Sequence, residues 1–247
     1  MSGNFRFCYT AADYMIFNIP KLLQFLDDPD TQAKGGSEIL TSNRGHASSI
    51  IGLIGEDLNA AVFKYYSSNE VEILTDKLTQ GGRRGKWLDR WIADHDKKIL
   101  YQCEIKNWAG ASLGGRTVPL DASPELQKEV AEYNLNKILA DFTPEREHPT
   151  GLTKVLLPMQ APQGFESYAV RPMLILWMLM TNDISHMNPY FRIKTQAISE
   201  TFSEIDVFSV SLYLRQLLAQ NITSIELDTP HIDERMRLLR GFLNVNN

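Results

Sequence analysis

Two strand-like segments joined by a short polar connection constrain the fold of this chain more than any other feature. Lys86 to Ala93 and Ile99 to Asn107 are rich in residues that favour β-structure, and the turn-like stretch Asp94 to Lys97 lies between them. A short connection of this kind is typical of two antiparallel neighbours in a sheet. The sequence therefore predicts a β-hairpin.

Side chains alternate between the two faces of each strand of this hairpin. The residues that share one face within each strand are Trp87, Asp89 and Trp91 in the first, and Gln102, Glu104 and Lys106 in the second. A turn centred near Asp96 and Lys97 places Asp89 opposite Glu104, with both carboxylates pointing the same way. Two acids in this position repel each other, and a bound divalent cation reverses the sign of that interaction.

This polar face suits a hard divalent cation. Mg²⁺ and Mn²⁺ take oxygen ligands, need only one or two carboxylates and keep several waters for a substrate phosphate. Lys106 follows Glu104 on the same face, where it would orient or help deprotonate a reactive water, or stabilise charge that develops in the transition state. The alternative is a solvated outer face on which Glu104 and Lys106 form cross-strand ion pairs.

Hydrophobic periodicity predicts helices and further strands around the hairpin. In chain order these are a helix from about His46 to Tyr66, a strand from Val71 to Leu78, a helix from Leu126 to Phe142, and strands from Lys154 to Met159 and from Pro172 to Met180. Ser123 and Pro124 are typical of the start of the second helix. Together with the hairpin, these elements follow the order helix, three strands, helix, strand.

The two ends of the chain carry weaker signals. Gln32 to Arg44 is predicted to be a loop, and no element is predicted for Thr181 to Glu204. Further on, the sequence predicts a helix for Val207 to Gln220, a short strand for Ser224 to Leu227 and a final helix for Asp233 to Leu243. The mixture of helices and strands indicates an α/β fold.

The hairpin motif and the order of elements together resemble a known family. Asp89, followed fifteen residues later by the triplet Glu104-Ile105-Lys106, resembles the signature of the PD-(D/E)XK nucleases, whose core has the order αβββαβ. The resemblance spans roughly Arg44 to Met180. Leu88 stands where the name of the motif has Pro, a departure that weakens the match to the motif more than it weakens the mechanism.

The resemblance implies a restriction endonuclease-like α/β fold, in which a mixed central sheet is flanked by helices. It also implies one nuclease-like domain over residues 1–247, with a core at about 44–180. The segments 1–43 and 181–247 would then be additions to that core.

The same resemblance implies roles for individual residues. In the family the Asp and the first acid of the triplet bind the metal, the backbone carbonyl of the middle residue often helps, and the Lys is catalytic. Those roles would belong to Asp89, Glu104, Ile105 and Lys106, with Mg²⁺ as the cofactor and Mn²⁺ as a substitute. A further Glu from the first helix would be Glu56, for which Asp57 is the competing candidate.

Basic and aromatic residues next to the hairpin are candidates for contact with DNA. Arg83, Arg84 and Lys86 lie in a Gly-rich stretch just before the Asp89 strand and would clamp a phosphate backbone; a solvated hairpin loop is the alternative. Trp108 would line the groove or stack on a base, or else pack beneath the following helix. The glycine spacing does not fit a P-loop, so no nucleotide cofactor is expected.

Composition narrows the class of protein. The chain has 25 Lys and Arg against 30 Asp and Glu, so any affinity for phosphate must come from a local basic patch. Cys8 and Cys103 have no metal-binding spacing, and a reducing, cytoplasmic location is expected. The longest apolar run, Met173 to Met180, is much shorter than the ~20 residues that cross a membrane.

We therefore expect a metal-dependent DNA endonuclease, for which the resemblance implies restriction or another defence role. One alternative is a catalytically silent module that keeps the nuclease fold for DNA binding or assembly. Another is a nuclease subunit that works inside a larger complex. The acidic net charge of −5 favours dependence on a partner, either a homodimer or such a complex.

Overall fold

The computed structural model describes residues 14–27, 55–67, 70–74, 78–80, 86–106, 115–142, 152–195, 199 and 201–229. Its helices are α1 (Ile19–Asp27), α2 (residues 55–67), α3 (Pro124–Ala140) and α4 (Val210–Ala219), with a 3₁₀ turn at Thr153–Leu156. Its strands are β1 (Tyr14–Asn18), β2 (Val71–Ile73), β3 (Leu78–Gln80), β4 (Lys86–Leu88), β5 (Arg90–Asp94), β6 (Ile99–Lys106), β7 (Ala169–Leu176), β8 (Tyr190–Lys194), β9 (Glu204–Ser209) and β10 (Ser224–Asp228).

A six-stranded mixed sheet organises the fold, in the order β2-β5-β6-β7-β9-β8. The strands β2, β5 and β6 pair antiparallel, the strands β6, β7 and β9 pair parallel, and β8 is antiparallel to β9. The parallel pair of β6 and β7 needs a crossover connection, and α3 lies within it. The predicted α/β class, with a mixed sheet flanked by helices, is confirmed.

The predicted hairpin is also confirmed, including its register. Arg90 pairs with Cys103 and Asp94 pairs with Ile99, as the predicted register requires, and Asp89 lies directly before this paired segment. Asp94 stabilises the turn because its Oδ1 accepts a hydrogen bond from the backbone N–H of Lys97, at 2.9 Å.

The first strand of the hairpin is interrupted at Asp89, which the sequence did not predict. Asp89 lies in a bend between β4 and β5, and its Oδ2 accepts a hydrogen bond from the backbone N–H of Ile105 at 2.7 Å. The carboxylate thus takes the place of a strand carbonyl, while β4 leaves the main sheet and pairs with β3. Leu88, at the end of β4, is buried among the residues of an apolar cluster. The two strands of the hairpin therefore separate at this point.

Apolar side chains cover both faces of the central sheet. On one face Val62 and Phe63 of α2 belong to a cluster with Cys103 and Ile105 of β6. On the other face Ile138 of α3 belongs to a cluster that includes Leu100, Trp91 and Leu174. A β6 strand enclosed on both sides in this way buries any polar side chain that it carries, so such a side chain must find partners.

Three predicted elements differ from the structure. The predicted strand Lys154 to Met159 is wrong, since Thr153–Leu156 is a 3₁₀ turn. The carbonyls of Val155 in this turn and of Leu157 after it accept hydrogen bonds from the side-chain amide of Gln102. The predicted strand Pro172 to Met180 is instead Ala169–Leu176. The first part of the predicted helix Val207 to Gln220 belongs to β9, because Val207 and Phe208 pair with β7.

Other expectations have mixed outcomes. The helix predicted from Leu126 to Phe142 is confirmed as α3; it starts at Pro124, and Ser123 accepts a hydrogen bond from the N–H of Leu126. The strand β8 lies in the stretch for which no element was predicted. The predicted loop 32–44, the first part of the helix predicted from His46, and the final helix 233–243 lie outside the described residues. Within the described ranges, no helix is long and apolar enough to span a bilayer.

Candidate metal site where the hairpin opens

Three oxygen atoms converge on one point beside β6, where the pairing of β5 with β6 ends and β4 pairs with β3 instead. The ammonium nitrogen of Lys106 lies 2.6 Å from Glu104 Oε1, 3.3 Å from Asp89 Oδ2 and 3.2 Å from the carbonyl oxygen of Ile105. All four groups to which the family resemblance gives a role in this hairpin therefore meet in a single cluster.

The backbone holds each member of this cluster in a different way. Asp89 is fixed by its hydrogen bond to the N–H of Ile105. Glu104 is held in a central strand, opposite Leu174 of β7. Lys106 is the last residue of β6, so its backbone is fixed by the sheet. Its side chain is partly exposed to solvent. The site is thus built on strands rather than on a long loop, which favours precise positioning.

The solvated-face alternative does not describe this cluster. Glu104 is 0% exposed, whereas the side chains of Lys106 and Asp89 are 22% and 17% exposed. Glu104 does pair with Lys106, but within one strand rather than across strands, and its carboxylate lies inside the protein. A buried carboxylate is costly unless it is paired, and this one is paired with the partly exposed Lys106 and Lys154.

The charges in the cluster shift one another's ionisation. Burial raises the pKa of Glu104, and the neighbouring Asp89 carboxylate raises it further, while Lys106 and Lys154 act in the opposite direction. Burial alone would lower the pKa of Lys106, but Asp89 and Glu104 beside it raise that pKa above its ordinary value. Lys106 is therefore a cation at neutral pH in this arrangement, suited to orienting a water or stabilising negative charge rather than to accepting a proton.

Sequence reasoning missed a second lysine. Lys154 extends from the 3₁₀ turn, and its Nζ lies 3.1 Å from Glu104 Oε1. Gln102 holds this turn against β6 through its amide. The polar face of β6 indicates that Glu104 and Gln102 need partners. Nothing in the sequence identifies Lys154 as one of them, because it is far from both along the chain.

The residues present fit a hard divalent cation. Glu104 Oε2 is buried and has no hydrogen-bond partner among the described residues, which leaves an acceptor available next to the converging oxygens. In the described part of the chain no three His, Cys, Asp or Glu side chains are grouped as metal ligands. Two carboxylates and a carbonyl are nevertheless enough for Mg²⁺, which retains several waters in protein sites.

The remaining candidate residues are placed only in part. Glu56 lies in the first turn of the described part of α2 and is partly buried, and its role stays a prediction. Its competitor Asp57 is committed elsewhere: its Oδ1 lies 2.7 Å from Nη2 of Arg90, and both side chains are buried. Among the predicted DNA contacts, Arg83, Arg84 and Trp108 lie outside the described residues, and for Lys86 only the backbone position in β4 is described.

No family model, no curated protein and no solved structure matches this chain. The argument for function therefore depends on the geometry and chemistry of the cluster itself.

Proposed function

We propose that this chain is a metal-dependent DNA endonuclease of the PD-(D/E)XK type. The observation that carries the proposal is the convergence of Asp89 Oδ2, Glu104 Oε1 and the Ile105 carbonyl within 3.3 Å of one cationic nitrogen. A buried carboxylate and a partly exposed one, both next to a lysine, are suited to phosphodiester hydrolysis with a divalent cation.

The order of elements gives further support. The helix α2, the strands β2, β5 and β6, the helix α3 and the strand β7 follow one another with the two small strands β3 and β4 inserted. Within the sheet, β2, β5, β6 and β7 are consecutive neighbours, and β7 is parallel to β6. This order is the one that a restriction endonuclease-like core requires, so we assign that fold type as part of the proposal.

Each residue of the cluster has its own role in the proposed hydrolysis. Asp89, Glu104 and the Ile105 carbonyl would hold a divalent cation, which when bound would supply Lewis acidity toward the scissile phosphodiester and would lower the pKa of the attacking water. Lys106 orients that water and stabilises the negative charge that develops on the phosphate. Lys154 holds Glu104 in place through the 3.1 Å contact between its Nζ and Oε1, and the N–H of Ile105 holds Asp89.

One observation favours a second candidate, a catalytically silent module that binds DNA or assembles with other chains. Lys106 and Lys154 already lie within ion-pair distance of the carboxylates, as in a purely structural cluster of charges. A silent module would keep this cluster and hydrolyse nothing. The nuclease is preferred because oxygens of both carboxylates and of the Ile105 carbonyl lie around one cation position, whereas an ion pair with Lys106 needs only one of them.

Cleavage of supercoiled plasmid, linear DNA and single-stranded RNA by the wild-type chain tests the proposal. We expect the plasmid to be nicked or cut in Mg²⁺ or Mn²⁺ and to stay intact in EDTA, because the two carboxylates need a cation to act on a phosphate. Binding of DNA without cleavage in any of these conditions would support the silent module. Cleavage that persists in EDTA would contradict the assignment.

A further inference from the structure

The ammonium group of Lys106 lies at the point where the proposed metal ligands meet. Its distances are 2.6 Å to Glu104 Oε1, 3.2 Å to the Ile105 carbonyl and 3.3 Å to Asp89 Oδ2. We propose that Lys106 is an internal counter-ion that occupies the cation position and must move away before a divalent cation binds. This inference rests on the proposed function, since it concerns how the same site is regulated.

The charge balance of the cluster supports displacement rather than joint occupancy. Two carboxylates, those of Asp89 and Glu104, face two ammonium groups, those of Lys106 and Lys154. A divalent cation added to the same oxygens would lie next to the Lys106 ammonium and be repelled by it. Even in water, a unit charge about 4 Å from a divalent ion changes its affinity by about ten-fold or more.

The two lysines differ in how closely they occupy the proposed cation position. Lys106 contacts all three oxygens, is the last residue of β6, and has a side chain that is 22% exposed. Nζ of Lys154 lies 3.1 Å from Glu104 Oε1, and Lys154 extends from the neighbouring 3₁₀ turn. Lys106 is therefore the group whose position a divalent cation would take, while the contact between Lys154 and Glu104 can remain.

A substrate phosphate provides a new partner for the displaced ammonium group. When Lys106 binds a phosphate oxygen, it no longer competes for the carboxylates, so a cation and a nucleic-acid phosphate bind the site cooperatively. Such coupling is reciprocal, because each ligand raises the affinity of the other by the same factor. Without substrate, the protein's own charge therefore competes with a divalent cation for this position and weakens its binding.

Mn²⁺ titrations followed by electron paramagnetic resonance, without nucleic acid, test this inference. We expect Lys106→Met to bind Mn²⁺ about ten-fold or more tightly than the wild type, since the competing charge is gone. Lys194→Met is the matched control, because Lys194 is exposed on the edge strand β8 and should leave the affinity unchanged. Lys154→Met should give a smaller gain than Lys106→Met. Equal affinity of Lys106→Met and the wild type, or an equal gain in Lys154→Met, would overturn the inference.

A second measurement uses the wild-type chain, so that it does not depend on a variant that folds. Lysine acetylation is quantified by peptide mass spectrometry with and without Mn²⁺, with the exposed Lys194 as the internal reference. Displacement of Lys106 from the three oxygens should make it react faster when Mn²⁺ is bound. An unchanged ratio of Lys106 to Lys194 labelling at saturating Mn²⁺ would overturn the inference.

The variant Asp89→Asn separates failure of this inference from failure of the proposed function. If Asp89→Asn weakens Mn²⁺ binding while Lys106→Met binds like the wild type, the metal site stands and only the displacement of Lys106 is wrong. If Asp89→Asn leaves Mn²⁺ binding unchanged, or if no variant binds Mn²⁺, the proposed metal site fails and the inference fails with it.

Discussion

Replacing Asp89 by Asn is expected to lower the rate of DNA cleavage in Mg²⁺ by about 10³-fold or more. Loss of a metal-binding charge removes several kcal/mol of transition-state stabilisation, and each ~1.4 kcal/mol is a factor of ten in rate. The substitution is chosen because Asn keeps an oxygen that accepts the hydrogen bond from the N–H of Ile105, which is 2.7 Å from Asp89 Oδ2. The bend in the hairpin should therefore survive while the charge is lost.

The comparison for Asp89→Asn is Asp96→Asn in the turn of the same hairpin. Asp96 is exposed and lies beyond β5, at the end of the hairpin opposite to the site. Cleavage rates under single-turnover conditions, together with circular dichroism spectra of each variant, make the measurement. A folded Asp89→Asn variant that cleaves as fast as Asp96→Asn would remove Asp89 from the mechanism.

Replacing Arg90 by Met is expected to lower the free energy of unfolding by about 3–5 kcal/mol, which is the usual cost of removing one partner of a buried ion pair. Nη2 of Arg90 lies 2.7 Å from Asp57 Oδ1, and the two side chains are only 4% and 3% exposed. The substitution leaves the Asp57 carboxylate buried between α2 and the sheet with its positive partner gone. Urea unfolding followed by tryptophan fluorescence measures the change.

The double variant Asp57→Leu with Arg90→Met controls for the loss of packing. If an uncompensated buried charge causes the instability, the double variant should be clearly more stable than Arg90→Met alone, since replacing both members of a buried pair by apolar residues is often nearly neutral. If the free energy of unfolding of the single variant falls by less than ~1 kcal/mol, the effect has the size expected of an exposed ion pair. This result would show that the pair of Arg90 and Asp57 contributes little to stability.

The central hairpin could be predicted because its determinants are local. Alternation of side chains defines the faces of β5 and β6, and the short turn fixes the register of their pairing. The same local reasoning failed for β9, where a short apolar run fits a strand and the start of a helix equally well. These residues form a strand rather than a helix because Val207 and Phe208 pair with β7. That pairing exists only once the sheet has assembled.

The partners of the site could not be predicted for a related reason. Lys154 reaches Glu104 only because Gln102 binds the carbonyls of the 3₁₀ turn that carries it. The commitment of Asp57 to Arg90 likewise depends on how α2 packs on the sheet. Both contacts join distant parts of the chain, whereas the relation of Glu104 to Lys106 follows from their spacing in one strand.

The most direct test of the central claim, that Asp89 binds the catalytic cation, is a metal-specificity switch at that residue. Cleavage rates of the wild type and of Asp89→Cys would be compared in Mg²⁺ and in Cd²⁺, because a thiolate prefers soft cations and a carboxylate prefers hard ones. We predict that Asp89→Cys loses activity in Mg²⁺ and recovers it at least in part in Cd²⁺, relative to the wild type in the same metals. The same ratio of Cd²⁺ to Mg²⁺ activity in both proteins would contradict the account.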